Sequence, residues 1–164
     1  MTSGAEVALD DHAETRWAPS QPRVLAVDQD AEHLALITRT LSHHYEVQAE
    51  TNVFQALVAL EEDGPFVLVI CDLRTGGVDG VEFLERALEA HPETPRMLVL
   101  NEANLADAVE AVNRSRVRAL ITKPVDPLQL LRRVDEATAE CSPTIEYDTF
   151  DSDLFEQPVA LASG

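Results

Sequence analysis

Hydrophobic and polar positions in this chain alternate between a helical and a strand period, and the alternation repeats five times between residues 23 and 140. Val24-Leu25-Ala26-Val27 is a short apolar run that stops at acid, and Leu34, Ile37 and Leu41 then recur at helical spacing. Tyr45-Glu46-Val47-Gln48-Ala49 alternates apolar with polar, as an edge strand does. Val53, Ala56, Leu57 and Leu60 form an i, i+3, i+4, i+7 stripe, closed by Gly64-Pro65. Phe66-Val67-Leu68-Val69-Ile70-Cys71 is apolar throughout, the pattern of a central parallel strand covered on both faces. After a loop at Gly76-Gly77, Val81, Leu84 and Leu88 begin a third helix, and Met97-Leu98-Val99-Leu100 is a fourth strand. Leu105, Ala108, Val109 and Val112 stripe a fourth helix, and Val117 to Ile121 is a fifth strand. Asp126-Pro127 supplies an N-cap and a first-turn proline for a last helix carrying Leu128, Leu131 and Val134. Five βα units around a buried middle strand predict an α/β fold, a doubly wound parallel sheet with helices on both faces.

With 164 residues, the chain has room for one well-buried domain, expected over residues 23–140. Residues 1–22 and 141–164 are acidic, aperiodic and proline-containing, and read as flexible tails. Thirty acids against twelve basic residues give a net charge of -18, which argues against direct binding to DNA or to anionic membranes. No apolar run approaches the ~20 residues that span a bilayer. The N-terminus lacks the basic-then-apolar order of a signal peptide, so a cytoplasmic location is expected. Cys71 and Cys141 do not make a disulfide framework, and the five scattered histidines have no zinc-site spacing.

In open α/β sheets, ligands bind at the carboxyl ends of the strands. Strand one ends in Asp28-Gln29-Asp30, strand three in Asp72, and strand five in Lys123-Pro124. Lys123 is the only lysine, beside eleven arginines, which fits a site that needs a compact ammonium rather than a guanidinium fork. Each residue also has a plainer reading. Asp28 and Asp30 suit helix caps, Asp72 and Asp79-Gly80 suit turns, and Lys123 can pair with any nearby acid. Their joint placement at three strand ends favours one shared site.

The segments VLAVDQD, FVLVICDL, VDGVEFL and LITKPVDP resemble the signature segments of the receiver domain of two-component response regulators. The resemblance covers about residues 23–137, and from GVEFL to LITKP it is nearest to receivers that precede regulatory phosphodiesterase domains. It implies a flavodoxin-like, CheY-like sheet of order 2-1-3-4-5. It also implies that Asp72 accepts a phosphoryl group from a histidine kinase or phosphotransfer protein. Lys123 would contact a phosphoryl oxygen, and Mg²⁺ would be held by Asp28, Asp72 and the backbone carbonyl of Arg74.

Four positions depart from the family pattern. Gln29 stands where a second acid is usual, so Mg²⁺ is expected to bind weakly, and Asp30 comes one residue too late to replace it. The usual Ser/Thr at the end of strand four falls on Leu100 or, with a one-residue slip, on Asn101. The usual aromatic switch is Leu120, and the loop after Asp72 lacks its proline. Asp28, Asp72 and Lys123 favour a phosphorylatable single-domain regulator, a monomer or weak dimer that signals by docking on its helix 4–strand 5–helix 5 face. As an enzyme it would do no more than catalyse its own phosphorylation and dephosphorylation. Gln29, Leu100 and Leu120 favour the alternative, a pseudo-receiver interaction module outside phosphorylation control. A phosphatase on the same fold is disfavoured, because Arg74 occupies the place of a general acid. The tail carries Ile145, Tyr147, Phe150, Leu154 and Phe155 among acids, and beside plain disorder suggests either docking in cis at the face bordered by Arg114, Arg116 and Arg118 or a docking motif for a partner.

Overall fold

A computed structural model describes residues 21–75 and 79–139, and for Leu105 the backbone alone. The Gly76-Gly77 loop, Cys141 and both tails, apart from Gln21 and Pro22, lie outside the described residues. The elements follow in the order β1 (Arg23–Val27), α1 (Ala31–Leu41), β2 (Glu46–Glu50), α2 (Val53–Glu62), β3 (Leu68–Asp72) and α3 (Gly80–Ala90). Then come β4 (Arg96–Asn101), a 3-10 turn over Glu102–Asn104, α4 (Leu105–Ser115), β5 (Ala119–Lys123) and α5 (Pro127–Ala139). The five strands are parallel in the order β2-β1-β3-β4-β5. This is the doubly wound sheet that the sequence pattern predicts, with the alternating strand β2 at an edge.

Strand alternation sorts the core into two layers. Val24 and Ala26 of β1, Leu68 and Ile70 of β3 and Ile121 of β5 pack with Leu34, Ile37 and Leu41 of α1 and Leu130, Val134 and Ala137 of α5. Leu25, Val27, Val69, Cys71, Leu98 and Leu100 pack on the other face, against α2, α3 and α4. All five residues of β3 are buried, as a strand covered on both faces requires.

Two helical stripes differ from expectation. Val109 is 63% exposed and Leu128 is 78% exposed, whereas Ala108, Ala111 and Leu130 are buried. In α4, alanines rather than valine meet the core, and small residues let the helix approach the sheet closely. In α5, the Gln129 amide donates to Asp126 Oδ1 at 2.9 Å, and this cap sets a helical phase that turns Leu130 inward. β5 begins at Ala119 rather than Val117. The buried Arg96 guanidinium donates to the carbonyls of Ser115 and Arg116, and Arg116 adopts φ 47°. That clamp holds the chain in a helix-ending turn past residue 116. Among the described residues, no helix is long and apolar enough to cross a membrane.

Candidate functional site

The register of the sheet builds the site. Ala26 pairs with Ile70 and Val27 with Cys71, so the next residues, Asp28 and Asp72, stand side by side at the carboxyl end of the sheet. Asn101 pairs with Lys123. Asp28, Asp72 and Lys123 each stand two residues beyond Ala26, Ile70 and Ile121, and strand alternation places all three on the α1/α5 side. Both carboxylates are buried, Asp28 at 2% exposure and Asp72 at 7%. Lys123 Nζ is ion-paired with Asp72 Oδ2 and lies 3.2 Å from Asp28 Oδ2. The second oxygen of each acid accepts a backbone amide: Asp30 N–H to Asp28 Oδ1 at 2.9 Å, and Arg74 N–H to Asp72 Oδ1 at 2.7 Å.

Burial pushes the Asp28 carboxyl up, but the contacts from His33, the Asp30 amide and Lys123 outweigh it and hold the group below its ordinary value. Burial likewise works against the Lys123 ammonium, yet Asp72 and Asp28 raise it above its ordinary value. The Lys123 ammonium therefore bridges the Asp28 and Asp72 side chains. Cys71, one residue before Asp72, is a free thiol whose burial pushes it far above the ordinary thiol range. It is an inert core residue.

The remaining positions fall into place on this frame. Gln29 is exposed. Asp30 is the N-cap of α1 and accepts from the amides of Glu32 and His33. Leu100 is 1% exposed and belongs to the α2–α4 core layer, whereas Asn101 shares the face of Lys123. Leu120 is half-buried against the same α2–α4 layer. Arg74 reaches from the turn after β3 to Asn104 Oδ1 at 3.4 Å and to Asp107 at 3.6 Å, in the first turn of α4. Arg114 pairs with Glu85 through two nitrogens and with Glu110 through a third, so acids of the domain itself occupy part of the expected basic surface.

Sequence reading missed two contributors. His33 Nδ1 meets Asp28 Oδ2, and Asp28, His33 and Asp72 each offer a donor atom within 4.8 Å of the others. The available signal was the Asp30 cap, which makes His33 the third helical residue, one turn above the end of β1. Gly80 is the second. A Cβ there would lie 2.2 Å from the Asp72 carbonyl oxygen and 2.9 Å from that of Leu73, so α3 can approach the end of β3 only with glycine at its first position. Asp79 caps that helix through the Val81 amide at 3.1 Å.

Two carboxylates converging beside a single ammonium at the rim of a parallel sheet match the donor set expected of a Mg²⁺-assisted phosphoacceptor, with the exposed Gln29 amide adding no third acid. Comparison with known proteins identifies the family. The chain is 32% identical over 118 residues to the hydrogenase transcriptional regulatory protein HoxA of Bradyrhizobium diazoefficiens, a match covering 71% of this chain and 24% of that protein. It spans about a quarter of the length of the curated relatives it matches. A response regulator receiver domain protein (CheY-like) from Methanospirillum hungatei superposes with a TM-score of 0.69 at 30% identity, covering 74% of this chain and 97% of that one. The receiver domain of NtrX from Brucella abortus gives 0.67 at 27% identity, covering 71% and 98%. The response regulator receiver domain profile matches residues 24–135, and the chain belongs to that family.

Proposed function

We propose that this receiver accepts a phosphoryl group on Asp72 and signals through protein docking. The observation that carries this reading is the Asp72 carboxylate, held between Lys123 Nζ and the Arg74 amide with Asp28 alongside. An Asp72 oxygen attacks the phosphorus of a phosphohistidine donor on a histidine kinase or phosphotransfer protein. The P–N bond breaks, an acyl-phosphate P–O bond forms, and the electron pair returns with a proton to the donor imidazole. Lys123 remains an ammonium at neutral pH and pairs with a phosphoryl oxygen. The Arg74 amide orients the carboxylate. Mg²⁺, held by Asp28 and Asp72 with the Arg74 carbonyl as the family pattern implies, would neutralise charge on the incoming group. Phosphoryl transfer asks for little beyond such positioning and charge stabilisation, so the chain catalyses no more than its own phosphorylation and dephosphorylation. A cytoplasmic monomer or weak dimer, docking to a downstream protein through α4, β5 and α5, completes the proposal.

A second reading is a pseudo-receiver that works as an interaction module without phosphorylation. It is favoured by Leu120, an aliphatic side chain packed into the α2–α4 layer where an aromatic switch is usual, and by the exposed Gln29. Intact-mass analysis after exposure to a small-molecule phosphodonor with Mg²⁺ separates the two. The first reading expects one added phosphate on wild type and none on Asp72→Asn. Unmodified wild type at saturating donor establishes the second.

A further inference from the structure

The sequence pattern leaves His33 unassigned, and the fold carries it into the acid cluster. Its side chain is nine-tenths buried, one ring nitrogen meets Asp28 Oδ2, and the other, Nε2, is buried with no hydrogen-bond partner. An unpartnered imidazole nitrogen in the interior is costly unless it serves something. Among the described residues, Asp28, His33 and Asp72 are the one group of three His, Cys, Asp or Glu side chains whose donor atoms come together within 4.8 Å. The usual second carboxylate is replaced by Gln29, whose side chain is exposed.

We infer that His33, Asp28 and Asp72 form a mixed nitrogen–oxygen site that takes a later first-row divalent cation, of the cobalt-to-zinc class, in preference to Mg²⁺. This rests on the reading of Asp28 and Asp72 as the metal-binding carboxylates. The reasoning is donor chemistry. Mg²⁺ prefers an all-oxygen octahedron and keeps several waters, so a site with one acid fewer and an imidazole in its place loses magnesium affinity. Later first-row ions bind imidazole well, and their affinities rise along the series toward copper. His33 sits in the first turn of α1, fixed there by the Asp30 cap, so its ring is held at the site by a rigid element. Lys123 shares Asp28 Oδ2 with His33, and an entering cation competes with that ammonium for the same oxygen.

The test uses the full chain stripped with chelator and titrated with Co²⁺, followed by visible absorption and by hyperfine-shifted imidazole protons in NMR, with Mg²⁺ affinity from competition. Wild type should bind Co²⁺ at least about ten-fold more tightly than Mg²⁺ and show a shifted imidazole signal. His33→Leu should erase that signal and weaken Co²⁺ by about ten- to a hundred-fold, while Mg²⁺ affinity stays within about two-fold. His33→Gln, which keeps a polar side chain and guards against a folding defect in the leucine variant, should weaken Co²⁺ likewise. Asp72→Asn should weaken both ions. If the His33 variants leave Co²⁺ affinity and the shifted signal intact while Asp72→Asn weakens Mg²⁺, this inference fails and the receiver reading stands. If Asp72→Asn leaves both ions unaffected, the metal-binding role of Asp72 fails as well.

Discussion

Lys123→Met removes the one cation in contact with two buried acids. The Asp28 and Asp72 donor atoms lie within 4.8 Å of each other, and at an effective dielectric of about 20 two unit charges at that distance repel by about 3.5 kcal/mol. Escape by protonation is no cheaper at neutral pH, since forcing a proton onto a carboxylate of ordinary pKa costs roughly 4 kcal/mol at pH 7. Water reaching the partly exposed Lys123 position screens some of the repulsion, leaving an expected loss of about 2–3 kcal/mol and a Tm lower by roughly 10 °C. The pH dependence identifies the cause. Asp28 is held below its ordinary value of 3.8 in the wild type, so its stabilisation is present above that pH and is lost as pH falls through the depressed value. Without Lys123, burial and the unbalanced charge of Asp72 act together on Asp28, which takes its proton at higher pH than in the wild type, and this relieves the variant while the wild type is still intact. Urea unfolding at pH 7 and at about pH 4.5 should therefore show the gap shrinking to under about 1 kcal/mol. An equal gap at both pH values, or none at pH 7, would refute the argument that one ammonium balances two carboxylates.

Three further outcomes follow from the same geometry. Gly80→Ala places a methyl against the Asp72 and Leu73 carbonyls, and should cost about 1–3 kcal/mol in urea unfolding and slow phosphodonor labelling of Asp72. Gln29→Asp should tighten Mg²⁺ binding several-fold by calorimetry, roughly 1 kcal/mol; unchanged affinity would place residue 29 away from the ion. Lys123 is raised above 10.5 in the fold, so its contribution is full below pH 10.5 and is lost as pH rises through the raised value. Tm measured from about pH 9 to 11.5 should fall more steeply for wild type than for Lys123→Met, with the raised Tyr45 phenol contributing to both.

The sequence alone determined the architecture and the principal site. Strand and helix periods are local properties, and a parallel sheet places its strand ends together whatever the intervening helices do. Asp28, Asp72 and Lys123 were therefore legible as a group before any distance was known. Periodicity was less reliable for α4 and α5, because hydropathy ranks Val109 above Ala111 and does not rank Leu128 below Leu130, while packing distance and the Asp126 cap decide which residue faces the sheet. Only the tertiary structure shows that Asn101, and not Leu100, shares the face of Lys123, since one step of register moves a side chain from one face of the sheet to the other. It alone brought His33 onto Asp28 and Gly80 against the Asp72 carbonyl. Those two contacts depend on how α1 and α3 pack onto the ends of β1 and β3, a relation between elements that no local pattern of polar and apolar residues encodes.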